Sequence, residues 1–157
     1  MEKSAVISEC GLYRYELRRV WDADKPWVLF ICLNPSTADH EAEDNTSRVC
    51  INYAKRWGYG GLVIANLFAY RSTLPEGLYK VDDPVGPEND AYLKLLSAKA
   101  KETVCAWSNY GGYKDRDLEV LSFVKSPKCL TILKSGRPGH PLYKSKELKP
   151  IPLNFTN

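Results

Sequence analysis

Two side-chain amides, one histidine and a group of hydroxyls and aromatics stand at the ends of apolar runs in this chain. Asn34-Pro35-Ser36-Thr37 follows the run from Trp27 to Leu33, and Asn66-Leu67-Phe68 closes the run from Leu62. Trp107-Ser108-Asn109 ends a third run, and His140-Pro141-Leu142-Tyr143 follows a fourth. An amide can pair with the edge of a nucleobase, and an aromatic can stack on its face. A neutral histidine can donate to a carbonyl oxygen that gains charge. Together they suit a flat polar heterocycle. Tyr70 and Arg71 follow the second run closely, and the carboxylates of Asp39, Glu41 and Asp44 follow the first. Each residue also has a plainer reading. Asn34 can cap the turn after its strand, Asn66 can be a satisfied polar group, and Asp39 can be a helix cap or surface charge. Arg71 can pair with the acidic 39–44 segment or contact phosphate, and Trp107 can be core or pocket wall.

Several chemistries lack their residues. No glycine-rich phosphate loop follows the first run, and Pro35 there opposes a dinucleotide-binding turn. No Ser or Cys occupies a nucleophile elbow. Two histidines are too few for a metal site, and five scattered cysteines form no CxxC pair, so neither a metal nor another cofactor is expected. Cys32, Cys105 and Cys129 read as small core residues. No signal peptide or apolar run of about 18 residues occurs, so the sequence predicts a reduced, cytoplasmic protein without membrane contact. At 157 residues, 44% hydrophobic and 26% charged, one globular domain over 1–157 is expected. The formal charge of +3 is compatible with nucleic acid without arguing for it.

The elements that must position these residues follow from periodicity. Residues 5–20 alternate like an antiparallel hairpin. Buried strands are predicted at 27–33, 62–68, 103–107 and 129–133. Helices are predicted at about 45–57, where Val49, Tyr53 and Trp57 share a face, and at 88–101 and 115–125. The alternation implies an α/β fold: a three-layer α/β/α arrangement around a four-stranded, mainly parallel central sheet in the order 2-1-3-4, plus an amino-terminal hairpin. Ligands of such sheets bind outside the carboxyl ends of the strands, so the four polar ends should share one rim. The long 69–87 connection should be functional. The 150–157 tail reads as irregular or an edge strand.

These residues carry a resemblance. Over roughly 27–145, their order and spacing resemble the uracil-DNA glycosylase superfamily, particularly its short mismatch-specific branch. Cys32-Leu33-Asn34-Pro35 is similar to its first motif. Asn66 to Arg71 is similar to its base-reading residue and following Arg, Trp107-Ser108 to its Trp-Gly, and His140-Pro141 to its His-Pro motif. Ser36-Thr37 and Leu142-Tyr143 depart from the glycosylase pattern, and the 69–87 loop has no counterpart there. A closer resemblance, over nearly the whole chain, is to the bacterial and phage family termed domain of unknown function 1643. It rests on Asn34-Pro35-Ser36-Thr37-Ala38-Asp39, Asn66-Leu67-Phe68-Ala69-Tyr70-Arg71, Asp83-Pro84-Val85-Gly86-Pro87-Glu88-Asn89-Asp90 and His140-Pro141-Leu142-Tyr143.

The glycosylase resemblance implies removal of a modified or mismatched base from DNA by water attack at the sugar. Asn34, Asp39 and His140 would be catalytic: a water positioner, a general base and a donor to the leaving base. Pro35, Ser36, Asn66, Phe68, Tyr70, Arg71, Trp107, Asn109, Pro141, Leu142 and Tyr143 would bind substrate, with Leu142 or Tyr143 wedging into the duplex. The partner would be DNA or a nucleotide. A nucleotide-binding module without catalysis and a hydrolase of free nucleotides or nucleosides remain as alternatives. An acidic 39–44 loop at the mouth would repel phosphates, which favours a small ligand. All of these readings require Asn34, Asn66 and His140 to line one cavity.

Overall fold

The computed structural model describes residues 1–36 and 38–155. Thr37, counted above among the strand-end hydroxyls, lies outside the described residues. The strands are β1 (Glu2–Ile7), β2 (Arg14–Val20), β3 (Trp27–Cys32), β4 (Gly61–Asn66), β5 (Glu102–Cys105), β6 (Lys128–Cys129) and β7 (Ile151–Pro152). The α-helices are α1 (Asn45–Arg56), α2 (Asn89–Lys99) and α3 (Arg116–Leu121), with 3-10 turns at Pro75–Lys80 and Asn109–Asp115.

The fold is mixed α/β with one seven-stranded sheet, ordered β1-β2-β4-β3-β5-β6-β7. β3 lies between β4 and β5 and runs parallel to both. Its unbroken apolar sequence is explained by burial on both faces. Leu29 and Ile31 join Val63 and Ala65 in one core with Leu93 and Leu96 of α2 and Val120 of α3. Val28 and Phe30 join Leu62 and Ile64 in a second core with Cys50, Ile51, Tyr53 and Ala54 of α1. Full burial of each such aliphatic side chain contributes about 1.5–3 kcal/mol. Cys32, Cys50, Cys105 and Cys129 are buried free thiols, and Cys10 is exposed.

The expected four-stranded sheet plus hairpin is replaced by this single wider sheet. β2 pairs antiparallel with β4, Leu17 opposite Ile64, so the hairpin continues the sheet. The other edge is closed by β7, antiparallel to β6. Both additions satisfy backbone groups that a four-strand sheet would leave open at its edges. Pro152 is tolerated because β7 is itself an edge. The expected strand 129–133 shortens to Lys128–Cys129, because residues 131–133 fold back on 137–139. Gly139 N–H donates to Thr131 O and Leu133 N–H to Arg137 O, and Gly136 turns the chain with φ +89°.

Asp83-Pro84-Val85-Gly86-Pro87-Glu88-Asn89-Asp90 is a clamp on the end of β4. The buried Asn89 Nδ2 donates to Asn66 O at 2.9 Å and Leu67 O at 3.1 Å. Ala69 N–H donates to Val85 O and Tyr70 N–H to Pro84 O. Gly86 has φ +94°, and a Cβ there would lie 2.9 Å from the Tyr13 ring. Asn89→Ala would leave two buried carbonyls without that donor. It is expected to cost about 2–3 kcal/mol, read as a lower urea midpoint.

Candidate functional site

At the carboxyl ends of β3, β4 and β5 the chain encloses a cleft of about 360 Å³. Asn34, Asn66 and His140 all line it, with Pro35, Ser36, Trp107 and Leu142. The parallel register brings them together: Cys32 is level with Asn66, and Ile31 with Cys105. The polar residues that follow therefore leave the sheet at one level.

Asn34 is held at its nitrogen. Nδ2 donates to Ser72 O at 2.8 Å and to Pro35 O at 3.2 Å, and among the described residues no donor is paired with Oδ1. Asn66 is 1% exposed, and among the described residues its Oδ1 has no hydrogen-bond partner. A buried acceptor left unpaired costs about 1–3 kcal/mol, which a ligand donor would recover. His140 accepts the Leu142 N–H at Nδ1, 3.2 Å away, so the neutral ring carries its proton on Nε2.

The His140 pKa lies below its ordinary 6.5, through burial first and Lys144 second, with Asp44 opposing. Folding therefore favours the neutral ring. Its contribution to stability is complete above about pH 6.5 and is lost as the pH falls through the lowered value. The urea midpoint of the wild type is expected to drop more than that of His140→Asn between about pH 7.5 and 5. Equal drops would contradict the lowered pKa.

Asp39, expected as the base, turns away. Its Oδ1 accepts the N–H groups of Glu41 at 2.9 Å and Ala42 at 2.8 Å and closes its own turn outside the cleft. The carboxylate in the cleft is Asp44. It caps α1: Oδ1 accepts the Ser47 N–H at 2.8 Å, and Oδ2 accepts the Ser36 hydroxyl at 3.0 Å. Burial raises its pKa, but the hydrogen bonds from Ser47 and Ser36 and the Arg14 charge outweigh this and hold it below the usual carboxylate range. Arg14, 3% exposed, also lines the cleft. Nη1 donates to Ala38 O at 2.8 Å, while Nε has no partner among the described residues. Burial lowers its pKa to about 10, so it stays cationic at neutral pH.

Six other expected residues lie outside the cleft. Phe68 is buried against Tyr113 in the core. Tyr70 packs edge-on to Tyr13, and Arg71 donates to Gly11 O rather than to the acidic segment. Asn109 accepts from the Ser135 hydroxyl. Pro141 and Tyr143 face a shallow groove beside α1.

A family model described as "Protein of unknown function (DUF1643)" matches residues 14–142. The chain belongs to this family. The matched stretch begins at Arg14 and ends at Leu142, and every residue lining the cleft falls within it. No curated protein and no solved structure matches the chain, so the glycosylase resemblance has no support from these comparisons.

In this DUF1643 chain, Arg14, Ser47 and Ser72 join the cleft unannounced by the residues read as chemical, while Asp44 and Ser108 come from stretches that were. Asp44 carried a signal as a carboxylate after the first run, and Ser72 as part of the long connection. Arg14 carried none. Ser108 has φ 64° and ψ −168°, a region nearly reserved for glycine. Ser108→Gly is expected to stabilise the fold by about 1 kcal/mol, checked by thermal melting, while removing a hydroxyl from the cleft. Among the described residues no three His, Cys, Asp or Glu side chains form a metal-ready group. Among them, also, no helix is long and apolar enough to cross a membrane.

Proposed function

We propose that this DUF1643 protein is an N-glycosidase that removes a modified or mismatched base from DNA. One juxtaposition carries the reading: Asn34 Oδ1, the ionised Asp44 and the neutral His140 border one cleft whose wall holds the unpaired Asn66 Oδ1. A flipped nucleotide enters, and Asn66 reads its edge. Asn34 Oδ1 accepts a hydrogen bond from water and aims it at the anomeric carbon. The carbon–nitrogen bond breaks, the base leaves with the electron pair, and the sugar becomes cation-like. Asp44 is a weak base because its pKa is lowered, but a fixed negative charge beside a cationic sugar stabilises it. Water adds to the sugar and yields its proton to solvent, while the base takes one up. His140 Nε2–H stabilises the charge on the departing base.

The three-layer, glycosylase-like arrangement belongs to the same proposal. Its support is the run of parallel strands β4-β3-β5-β6, with α1 over one face and α2 and α3 over the other. Repulsion of DNA by the acidic segment is weaker than its composition suggests. Glu43 pairs with Arg19 at 2.9 Å and with Lys3 at 3.4 Å, and Asp44 caps α1. Tyr143, 98% exposed at φ 60°, stands beyond Leu142 as a wedge for the duplex.

A hydrolase of free nucleotides is the second reading, favoured by Arg14, whose buried cation with a free Nε suits a single phosphate. The test is incubation with duplex and single-stranded DNA carrying uracil, hypoxanthine or hydroxymethylated pyrimidines, beside the corresponding free nucleotides. Alkali-labile abasic sites that vanish in His140→Ala support the first reading. Base release from free nucleotides alone supports the second. Release from none, with binding retained, overturns both.

A further inference from the structure

At the opposite edge of the sheet, where β5 and β6 begin, lies a second cleft of about 450 Å³. Lys94 of α2, Lys101, Lys125 and Lys128 line it, and Glu102 is the one carboxylate there. Four ammoniums against one carboxylate leave an excess of three positive charges. That excess equals the formal charge of the entire chain, +3, so the remaining residues sum to neutrality. Glu102 is also shared: it accepts the Tyr59 hydroxyl at 2.9 Å and lies 3.7 Å from Lys128 Nζ. Its charge is therefore spoken for by one lysine.

Helix-end electrostatics do not account for the cluster. The carboxyl end of α2 attracts cations, each such pairing contributing about 0.3–1 kcal/mol. That explains Lys101 beside the helix end. Lys125 and Lys128 come from a separate segment, which turns at Ser126 with φ 50°, a left-handed conformation that non-glycine residues seldom adopt. The turn sets Lys125 beside the Glu102-paired Lys128 in the same cleft, so Lys101 and Lys125 bring like charges to it from two segments, a repulsion that a bound anion relieves. The volume is that of a small-molecule site, and the four lysines line one hollow, with Lys94 Nζ 5.4 Å from the centroid of the Phe123 ring.

We infer that this cleft binds a small polyphosphate anion, such as the phosphate chain of a nucleoside triphosphate. The site is distinct from the Asn34 cleft. The four-residue β5 runs between them, roughly 13 Å at about 3.3 Å per residue.

Titration with sodium tripolyphosphate, followed by backbone amide NMR, tests the inference. Shifts confined to residues 94–103 and 123–128 are expected, with binding that weakens as salt rises. Lys101→Ala/Lys125→Ala should weaken binding about tenfold or more at unchanged melting temperature. The control pair Lys80→Ala/Lys134→Ala should leave it within about twofold. Absence of shifts at about 10 mM probe, shifts centred on the Asn34 cleft, or indifference to the Lys101/Lys125 pair would each overturn the assignment. A single-stranded oligonucleotide that binds through these lysines where tripolyphosphate does not would make the face a nucleic-acid surface, and overturns it equally.

Discussion

Asn34→Ala is expected to lower the rate of base release by about 10²–10³ while the protein keeps its fold and its affinity for substrate. The two bonds from Nδ2 to Ser72 O and Pro35 O fix the carboxamide plane before substrate arrives. Truncation removes the Oδ1 acceptor and loosens the 72–75 segment, whose Ser72, Thr73 and Pro75 also line the cleft. Single-turnover cleavage on a base-modified duplex measures the effect, with binding followed separately. Asp39→Asn is the control. Its side chain only closes its own turn, so activity should stay within about threefold of wild type. Asp44→Asn keeps a cap acceptor for Ser47 but loses the charge, and should fall with Asn34→Ala. If Asp39→Asn is the inactive variant and Asp44→Asn the active one, the carboxylate assignment is reversed.

The largest effect on stability is expected at Arg19. Its guanidinium is fully buried and serves three chain segments, β1, β2 and 39–43. Nε donates to Glu43 at 2.9 Å; Nη1 donates to Arg18 O and Ser4 O; Nη2 donates to Asp39 O and Ala42 O. Arg19→Met preserves most of the volume and removes every one of these bonds. It leaves the Glu43 carboxylate without its buried partner, and the expected cost is about 3–5 kcal/mol. Urea denaturation reads this as a large drop in midpoint at constant slope. Activity should also fall, because Arg19 ties down the 39–43 segment that leads into Asp44. Glu43→Gln, which keeps an acceptor for Nε, should cost less. Equal stability of Arg19→Met and wild type would show that β1 and β2 alone hold this segment.

Much of the frame was legible in local pattern. The continuous run Trp27–Leu33 announces a strand buried on both faces, and Val49, Tyr53 and Trp57 announce one face of α1. Strand-end polar residues announce a rim. Partner choice for the edges was not legible, because β2 and β7 owe their positions to backbone groups left open on β4 and β6. Alternation in 12–21 shows a half-buried strand but not which sheet it joins. Which carboxylate lines the cleft was not legible for a related reason. Asp39 and Asp44 lie five residues apart on one acidic segment, and composition does not say which one bends inward. The N-cap geometry of α1 and the Ser36 hydroxyl decide that for Asp44.

What the sequence by itself determined is the set of groups available at the strand ends: two amides, a histidine held between Gly139 and Pro141, and aromatics. Strand periodicity and parallel register are local and repetitive, so they carry such residues to a common level. What only the tertiary structure decided is which of them face the cleft, and which charges stand among them. Phe68 turned into the core, Asp39 into its own turn, and Arg14 in from a strand that carried no chemical signal. Those outcomes depend on contacts between segments distant in the chain, where burial and hydrogen bonding select one orientation per side chain.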